Sequence, residues 1–207
     1  MGSASITATN HSVDFFDRQF RQQIGGRDFK LNSFEQRALP HLQGRVLDFG
    51  CGLGNLAMAA AECGCSVLAL DASPTAIEHL RQRAADADLS VEAIEADLRN
   101  YRIDGDFDCI VSIGLLMFFD CAAAERVLAM LQEQVRPGGI AVINTLIEGT
   151  TYAEIFQPGS HCLLARDELR QRFSDWEILH IEYRDFEAPG QTIKSFVTII
   201  ARKPGLR

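Results

Sequence analysis

A run of small residues from Asp48 to Asn55 carries the most specific chemical pattern of the sequence. Its three glycines let the backbone bend tightly and let a ligand approach where a side chain would block it. A dinucleotide fingerprint, G-x-G-x-x-G, would need a glycine where Asn55 stands. The carboxylate of Asp48 would repel a pyrophosphate but attracts a positively charged ligand. The run therefore predicts a site for a cationic ligand, with a dinucleotide loop or a plain tight turn as the alternatives.

Two more carboxylates follow predicted strands at spacings that suit such a ligand. Asp71 comes about 20 residues after Gly50, where an acidic residue reaches a ribose in this architecture, although it could instead cap the next helix. Asp97 is placed to accept a hydrogen bond from an adenine amino group while Leu98 covers the ring, although a loop Asp alone is usually a turn former. S-adenosylmethionine combines a sulfonium, an ammonium, a ribose and an adenine. The sequence therefore predicts that methyl donor as the cofactor.

The residues that would face the transferred methyl group follow the fourth and fifth strands. Met117 and Phe118 are expected to form a wall there, or simple core. A soft, electron-rich acceptor needs no general base, whereas a hydroxyl or ammonium acceptor does. His161 is the candidate base, with an ordinary loop histidine as the alternative. The protein mainly contributes positioning and exclusion of water, because a sulfonium is already a good leaving group.

Alternating strands and helices position these residues. This order predicts an α/β fold with a parallel sheet covered by helices on both faces. Two final strands without a helix between them should pair antiparallel, which reverses one strand. The strands are predicted at 45–49, 66–70, 90–94, 107–112, 140–146, 177–183 and 193–201, and the helices at 57–61, 74–85, 122–135 and 167–173.

Apolar residues at helical spacing precede the first strand. Val13, Phe15, Phe16, Phe20 and Ile24 predict an amphipathic helix, which either packs on the sheet or covers the strand ends as a lid. We therefore divide the chain into an N-terminal helical segment, 1–40, and a cofactor-binding domain, 41–207, within one compact domain.

Composition narrows the class of partner. A length of 207 residues with 47% hydrophobic residues suits one buried core. The net charge of −8 argues against binding nucleic acid, so a small molecule is the expected partner. We expect a cytoplasmic protein without membrane association, in which all six cysteines are free and mostly buried. No metal site is expected, and no feature indicates an oligomeric state.

Taken in order, these motifs resemble those of class I S-adenosylmethionine-dependent methyltransferases. The resemblance covers nearly all of the chain, and it implies a Rossmann-like, seven-stranded, mostly parallel sheet with a reversed last strand. It also implies that the glycines bind the methionine part of the cofactor, that Asp71 binds the ribose, and that Ser112 and Ile113 contribute backbone groups. The full set of expected cofactor residues is Asp48, Gly50, Cys51, Gly52, Gly54, Asn55, Leu56, Asp71, Ala72, Ala96, Asp97, Leu98, Ser112 and Ile113.

A narrower resemblance links the chain to the tellurite-resistance methyltransferases. It rests on residues 114–119, 136–139, 167–173 and 198–203. It implies a small sulfur, selenium or tellurium acceptor, for which that group carries a His-Arg pair before the last strand. Here that stretch is shorter and more acidic, and Arg184 and Lys194 are the possible replacements.

Other functions stay open at this point. The set of residues expected near the reaction is Met117, His161 and Lys194. The alternative functions are O- or N-methylation of a small metabolite, a module that binds S-adenosylmethionine without catalysis, and a nicotinamide oxidoreductase. Ser112-Ile113-Gly114 stands where methyltransferases that modify nucleobase amino groups carry an Asp-Pro-Pro-Tyr type of element, which disfavours that substrate.

Overall fold

The computed structural model describes residues 11–156 and 159–205, so the first ten residues of the predicted N-terminal segment lie outside the described part. The strands are β1 (Arg45–Phe49), β2 (Ser66–Asp71), β3 (Val91–Glu95), β4 (Phe107–Ile113), β5 (Val135–Leu146), β6 (Glu177–Ala188) and β7 (Thr192–Arg202). They form one sheet in the order β3-β2-β1-β4-β5-β7-β6. Six strands of this sheet run in one direction and β7 runs in the opposite one, which confirms the predicted Rossmann-like fold with a reversed last strand.

Helices cover both faces of the sheet. Those in the described residues are α1 (His11–Gly26), α2 (Ser33–Ala38), α3 (Asn55–Glu62), α4 (Pro74–Asp86), α5 (Cys121–Gln134) and α6 (Glu168–Arg172). On one face, α3 and α4 bury Leu56 and Leu80. On the other face, α5 and α6 bury Leu131 and Leu169. Two apolar clusters, one on each face, therefore hold the sheet rigid beneath its carboxyl ends.

Local capping explains where two of the helices begin. The Ser73 hydroxyl accepts a hydrogen bond of 3.1 Å from the Ala76 amide, and Pro74 occupies the first turn, as the sequence predicts. Asp120 caps α5 in the same way, because its carboxylate accepts from the Ala123 amide at 2.9 Å. Both caps fix the direction in which the chain leaves the carboxyl end of a strand.

The fifth strand begins earlier than the sequence indicates. Its predicted start is residue 140, but Val135 already pairs with Phe107, and a register shift follows. Gly139 permits this extension because a Cβ there would lie 2.7 Å from the Asp108 carbonyl oxygen. The Lys203 ammonium donates to the carbonyl oxygens of Gln132, Glu133 and Val135, which stabilises the junction of α5 and β5.

The expectation that all six cysteines are free is wrong for one pair. Cys121 at the start of α5 and Cys162 after β5 form a disulfide with Cα atoms 4.7 Å apart. Spacing rules examine nearby cysteines, whereas the fold joins these two across 41 positions. Cys51, Cys65 and Cys109 are buried thiols, and Cys63 is exposed.

The described residues contain no helix that combines the length and the apolar character needed to cross a bilayer.

Candidate active site

The glycine-rich loop joins β1 to α3 at the carboxyl edge of the sheet. Gly50, Gly52 and Gly54 all have positive φ, at 87°, 52° and 69°. The amides of Gly50 and Cys51 both donate to the Leu70 carbonyl oxygen, at 2.8 and 3.0 Å. The loop therefore needs glycine for its backbone conformation, and its anchorage to β2 keeps it in one shape.

Asp71 supports this loop from the end of β2. Its Oδ2 accepts a hydrogen bond from the Gly52 amide at 2.8 Å, and its Oδ1 accepts from the Ser73 amide at 2.9 Å. Burial raises the pKa of Asp71, although backbone hydrogen bonds from Ser73 and Gly52 oppose this. Each carboxylate oxygen keeps a further lone pair, so the group can also accept hydrogen bonds from ligand hydroxyls.

Asp97, which follows β3, is more exposed than Asp71. Its side chain is half exposed, and Arg99 Nε donates to its Oδ1 at 2.9 Å. This hydrogen bond is the main reason why the pKa of Asp97 is lowered, against a smaller opposing effect of burial. The neighbouring Leu98 is buried and lines the same cavity. An ionised hydrogen-bond acceptor therefore lies beside an apolar surface.

Asp48 is the most deeply placed carboxyl group of the site. It is buried, and its Oδ2 lacks a hydrogen-bond partner among the described residues. Burial, with the nearby charges of Glu35 and Asp71, raises the pKa of Asp48 to about 8. A positive ligand charge at this point would stabilise the ionised form. This environment is consistent with a cationic ligand.

Helix α1 lies across the glycine loop. A Cβ on Gly52 would come within 3.1 Å of the Phe20 ring, so the ring closes directly over the loop. The Ser73 hydroxyl donates to Asp17 at 2.7 Å, and Arg21 forms an ion pair with Asp17 at 2.8 Å. The helix thus covers the strand ends. This is the position expected of a lid, and its mobility stays a prediction.

One cavity of about 890 Å³ connects these parts of the site. Gly52, Asp71 and Asp97 line it at one end, with Phe20 above them. The cavity continues into what we call the aromatic chamber. The chamber is lined by Phe15, Phe16, Phe34, Phe118, Tyr152 and Phe196. Such a volume lies at the upper end of the range for ligand pockets, which suits a cofactor together with a small second molecule.

The aromatic chamber is assembled from distant parts of the chain. The rings of Phe16 and Phe118 lie 5.0 Å apart, edge to face, and those of Phe34 and Phe196 lie 5.0 Å apart. The Lys194 ammonium lies 4.5 Å from the centre of the Tyr152 ring. These contacts close the chamber with apolar surface and place the Lys194 ammonium at its wall.

Most of the residues expected at the site reach this cavity. Met117 and Lys194 line it, and so do these expected cofactor residues: Asp48, Gly50, Cys51, Gly52, Asn55, Leu56, Asp71, Ala72, Asp97, Leu98 and Ile113. Gly54, Ala96 and Ser112 are not part of its lining. Gly54 serves packing instead, because a Cβ there would overlap the Leu80 side chain. Ser112 is fully buried in β4.

Two expected residues lie elsewhere. His161 does not line the cavity, and its imidazole stacks on Phe156 with ring centres 4.7 Å apart. Arg184 is exposed on β6, where it contacts Glu182 and the Phe186 ring. The structure therefore places neither His161 nor Arg184 at the site.

Among the polar residues of the cavity lining that sequence reasoning missed are Glu35 and Asn144. Glu35 forms a capping box with Asn32 at the start of α2, and an N-x-x-E pattern is visible in the sequence. Asn144 is a fully buried polar residue within the apolar run of β5, which was also a visible signal. No group of side chains suited to a metal ion occurs in the described part of the chain.

Comparison with known proteins agrees with this geometry. Residues 46–139 match a family described as a methyltransferase domain. Hemagglutinin 1 of Eikenella corrodens is 32% identical over 78% of this chain and 55% of its own length. A probable S-adenosyl-L-methionine-dependent methyltransferase, TehB of Haemophilus influenzae, is 26% identical over 77% of this chain and 57% of its own. The chain thus spans little more than half the length of these curated relatives.

A solved structure shows the same fold. The crystal structure of TehB from Haemophilus influenzae superposes with a TM-score of 0.75 at 21% identity, over 93% of this chain and 67% of that chain. The matched domain contains the glycine loop, Asp71 and Asp97. Residues 46–139 therefore belong to a methyltransferase-domain family, and the chain is similar to the TehB-like S-adenosylmethionine-dependent methyltransferases.

Proposed function

We propose that this protein transfers a methyl group from S-adenosylmethionine to a small molecule bound in the aromatic chamber. The observation that carries this proposal is the single cavity, in which the glycine loop, Asp71 and Asp97 at one end are continuous with the chamber at the other. Asp48 lines the same cavity, where a carboxylate favours the cationic cofactor. A site that only binds the cofactor would not need a second chamber.

The residues present fit the cofactor. The loop from Gly50 to Gly52 would hold the methionine part, Asp71 the ribose hydroxyls, and Asp97 with Leu98 the adenine. The unpartnered Oδ2 of Asp48 would receive positive charge. When bound, S-adenosylmethionine supplies an electrophilic methyl group on a sulfonium. Phe16 and Phe20 of α1 would exclude water from the reaction.

The acceptor expected from the sequence is a small sulfur, selenium or tellurium compound. Met117 and the aromatic rings suit such a soft, weakly hydrated molecule. An oxyanion is the least supported form, because Asp48 and Glu35 place two carboxyl groups at the cavity, and of the two expected cations only Lys194 lines it while Arg184 lies outside. A hydroxyl or amine acceptor is the alternative, and Glu35 is the group available to it as a base.

Radiolabelled methyl transfer tests the proposal. The protein would be incubated with methyl-labelled cofactor and a panel of small thiols, selenols, amines and hydroxylated metabolites, and labelled products would be separated by chromatography. Calorimetry with S-adenosylhomocysteine and with NAD would accompany this assay. Cofactor binding with transfer to any acceptor supports the proposal. Binding without transfer across the panel would support a non-catalytic module, and tight NAD binding alone would support an oxidoreductase.

A further inference from the structure

Three side chains define a polar floor beneath the aromatic chamber: Asp48, Asn144 and Glu35. Asp48 pairs in register with Val111 of β4, and Asn144 pairs with Ile113 of the same strand. Residues paired across strands point to the same face, as do residues two apart in one strand. Asp48 and Asn144 therefore project from the same face of the sheet, and both line the cavity.

Asn144 presents an unused hydrogen-bond acceptor. Its side-chain amide donates to the Thr198 hydroxyl at 2.8 Å and to the Val197 carbonyl oxygen at 3.4 Å. These two contacts fix the direction of the amide group. Its Oδ1 is buried and has no partner among the described residues. A buried carbonyl oxygen without a donor is costly, so a ligand that supplies one would be stabilised.

Glu35 of α2 supplies a second hydrogen-bond acceptor to the same cavity. Its Oε2 accepts a hydrogen bond from the Asn32 amide at 2.7 Å, which completes the capping box of α2. This contact holds the carboxyl group in place and leaves Oε1 for a ligand. The charge of Glu35 contributes to raising the pKa of Asp48, and both carboxyl groups line the same cavity.

The number of donors on the acceptor molecule distinguishes the chemical classes. A primary amine offers two or three strong donors, enough for both Asn144 Oδ1 and Glu35 Oε1. A hydroxyl offers one donor, and a thiol offers a weak one. A selenide or telluride without hydrogen offers none, and an oxyanion would be repelled by the carboxyl groups. The aromatic rings of Phe34 and Phe196 also attract an ammonium group as it enters.

We propose that, within the methyl transfer proposed above, the acceptor is a small primary amine whose nitrogen is bound by Asn144 Oδ1 and Glu35. Glu35 accepts one proton from the entering ammonium and later releases it to solvent. The neutral nitrogen then forms the new bond to the methyl carbon while the carbon–sulfur bond breaks. The sulfur keeps that electron pair, so the products are a methylammonium compound, S-adenosylhomocysteine and one released proton.

The charges around Glu35 are compatible with this step. Burial raises the pKa of Glu35, while the hydrogen bond from the Asn32 amide lowers it by less. The other charged groups that line the cavity on this side are Asp28 and Lys30 before α2, Asp48 of β1 and Lys194 of β7. In this proposal Asp48 interacts with the positive charge of the cofactor, and the Lys194 ammonium lies against the Tyr152 ring. Glu35 is therefore the carboxyl group available to the amine.

A matched series of compounds tests which chemical class of acceptor the protein methylates. 2-Phenylethylamine, 2-phenylethanethiol and 2-phenylethanol have the same apolar body and differ in the nucleophile. We expect the amine to be methylated with a kcat/KM at least 10-fold higher than either of the others. Calorimetry of the same three compounds with the protein saturated by S-adenosylhomocysteine gives a readout that is independent of turnover, and only the amine should bind measurably.

Variants then test the proposed roles of Glu35 and Asn144 in binding the amine. Glu35→Gln keeps an acceptor for the Asn32 amide and removes the charge, whereas Asn144→Leu keeps the size and removes the acceptor. We expect each to lower kcat/KM for the amine at least 10-fold without changing the affinity for S-adenosylhomocysteine. Glu168→Gln is the matched control, because Glu168 also accepts from a backbone amide, that of Ala165, away from the cavity.

A weakly basic amine separates proton removal from a structural role. 2,2-Difluoro-2-phenylethylamine is largely neutral near pH 7, so Glu35→Gln should reduce its methylation much less than that of 2-phenylethylamine. Equal losses for both amines would contradict a role of Glu35 in removing the proton.

The outcomes distinguish this inference from the proposed function. Preferred methylation of the thiol or the alcohol would overturn the amine assignment and leave methyl transfer intact. Binding of S-adenosylhomocysteine without amine binding or methylation would also overturn it. Absence of both cofactor binding and transfer would instead overturn the proposed function itself.

Discussion

The Ser73 hydroxyl donates a 2.7 Å hydrogen bond to the Asp17 carboxylate, which ties α1 to the turn after β2. The same hydroxyl caps α4 by accepting from the Ala76 amide. Burial acts to raise the pKa of Asp17, but the hydrogen bonds from Ser73 and Thr75 and the charge of Arg21 together lower it. One ionised side chain therefore contributes to holding the helix that covers the cofactor end of the cavity, beside the contacts of Phe16 and Phe20.

Replacing Asp17 by Asn should weaken cofactor binding without unfolding the sheet. Loss of a charge-assisted hydrogen bond of about 1 kcal/mol corresponds to roughly a 5-fold higher Kd for S-adenosylhomocysteine. Calorimetry would measure this, and Asp14→Asn is the control because Asp14 is exposed on the same helix. Equal affinities of the Asp17 variant and the parent would show that the Asp17–Ser73 contact does not support cofactor binding.

Substitution of Gly52 by Ala should harm binding more than stability. Both Gly52 and Gly64 have positive φ, so alanine should cost about 1 kcal/mol of folding stability at either position. A Cβ at Gly52 meets the Phe20 ring, whereas a Cβ at Gly64 meets nothing within 4 Å. We expect only Gly52→Ala to raise the Kd for S-adenosylhomocysteine, by 10-fold or more as an order of magnitude. A comparable loss of affinity in Gly64→Ala would contradict this assignment.

Asp48 should make the stability of the ligand-free protein depend on pH. Its pKa is raised from 3.8 to about 8, mainly by burial. A group with a raised pKa contributes stability below its unfolded value, and that contribution is lost as the pH rises towards the folded value. Asp48→Asn should therefore be more stable than the parent at pH 8, by a margin that grows between pH 4 and 8 at up to roughly 1.4 kcal/mol per pH unit.

Urea denaturation at several pH values measures this difference. The same variant should bind S-adenosylmethionine less tightly than the parent, because the carboxylate no longer offsets the cofactor's positive charge. A constant stability difference from pH 4 to 8 would exclude the raised pKa.

Replacing His161 by Ala should leave methyl transfer nearly unchanged. The imidazole stacks on Phe156 and does not line the cavity, so we expect kcat to stay within about 3-fold of the parent, less than the roughly 100-fold that general bases contribute. Steady-state kinetics with the best acceptor of the panel would test this. A 100-fold loss of kcat would restore His161 as the base.

Removing the disulfide should lower stability in a non-reducing buffer. The Cys121–Cys162 bond closes a loop across 41 positions, for which about 2–4 kcal/mol is typical. Cys121→Ser should show this loss by chemical denaturation, and adding a thiol reductant to the parent should reproduce it. Cys63→Ser is the control, since Cys63 is an exposed free thiol. No difference between the two variants would mean that the bond is absent in solution.

The parts of the fold that depend on local pattern could be predicted from the sequence. The bounds of β1 and the Ser73-Pro74 start of α4 agree with their predictions because apolar runs and caps act over a few residues. The antiparallel pairing of β6 and β7 follows from the absence of a helix between them. The early start of β5 could not be predicted, because pairing of Val135 with Phe107 overrides the glycines and proline that follow.

Some parts of the candidate site could likewise be predicted from the sequence, and others could not. The glycine loop and Asp71 could be placed together because the loop follows β1 and Asp71 ends β2. These two strands are parallel neighbours, so their carboxyl ends lie side by side. Glu35 and Asn144 meet at one cavity only because α2 packs on the sheet, where Phe34 contacts Phe196 of β7, and no local spacing describes this packing. His161 was expected at the cavity on its position after β5, but the chain beyond that strand directs its ring towards Phe156.

The position of β7 has a consequence for the order of assembly. This strand lies between β5 and β6, although it follows both of them along the chain. During synthesis, the edge of β5 exposes unpaired backbone groups and apolar side chains until residues 192–202 emerge from the ribosome. The nascent protein would carry an open, aggregation-prone edge beside its half-formed cavity throughout that interval. Completion of the cavity and protection from aggregation then occur in the same step, when the hairpin of β6 and β7 inserts.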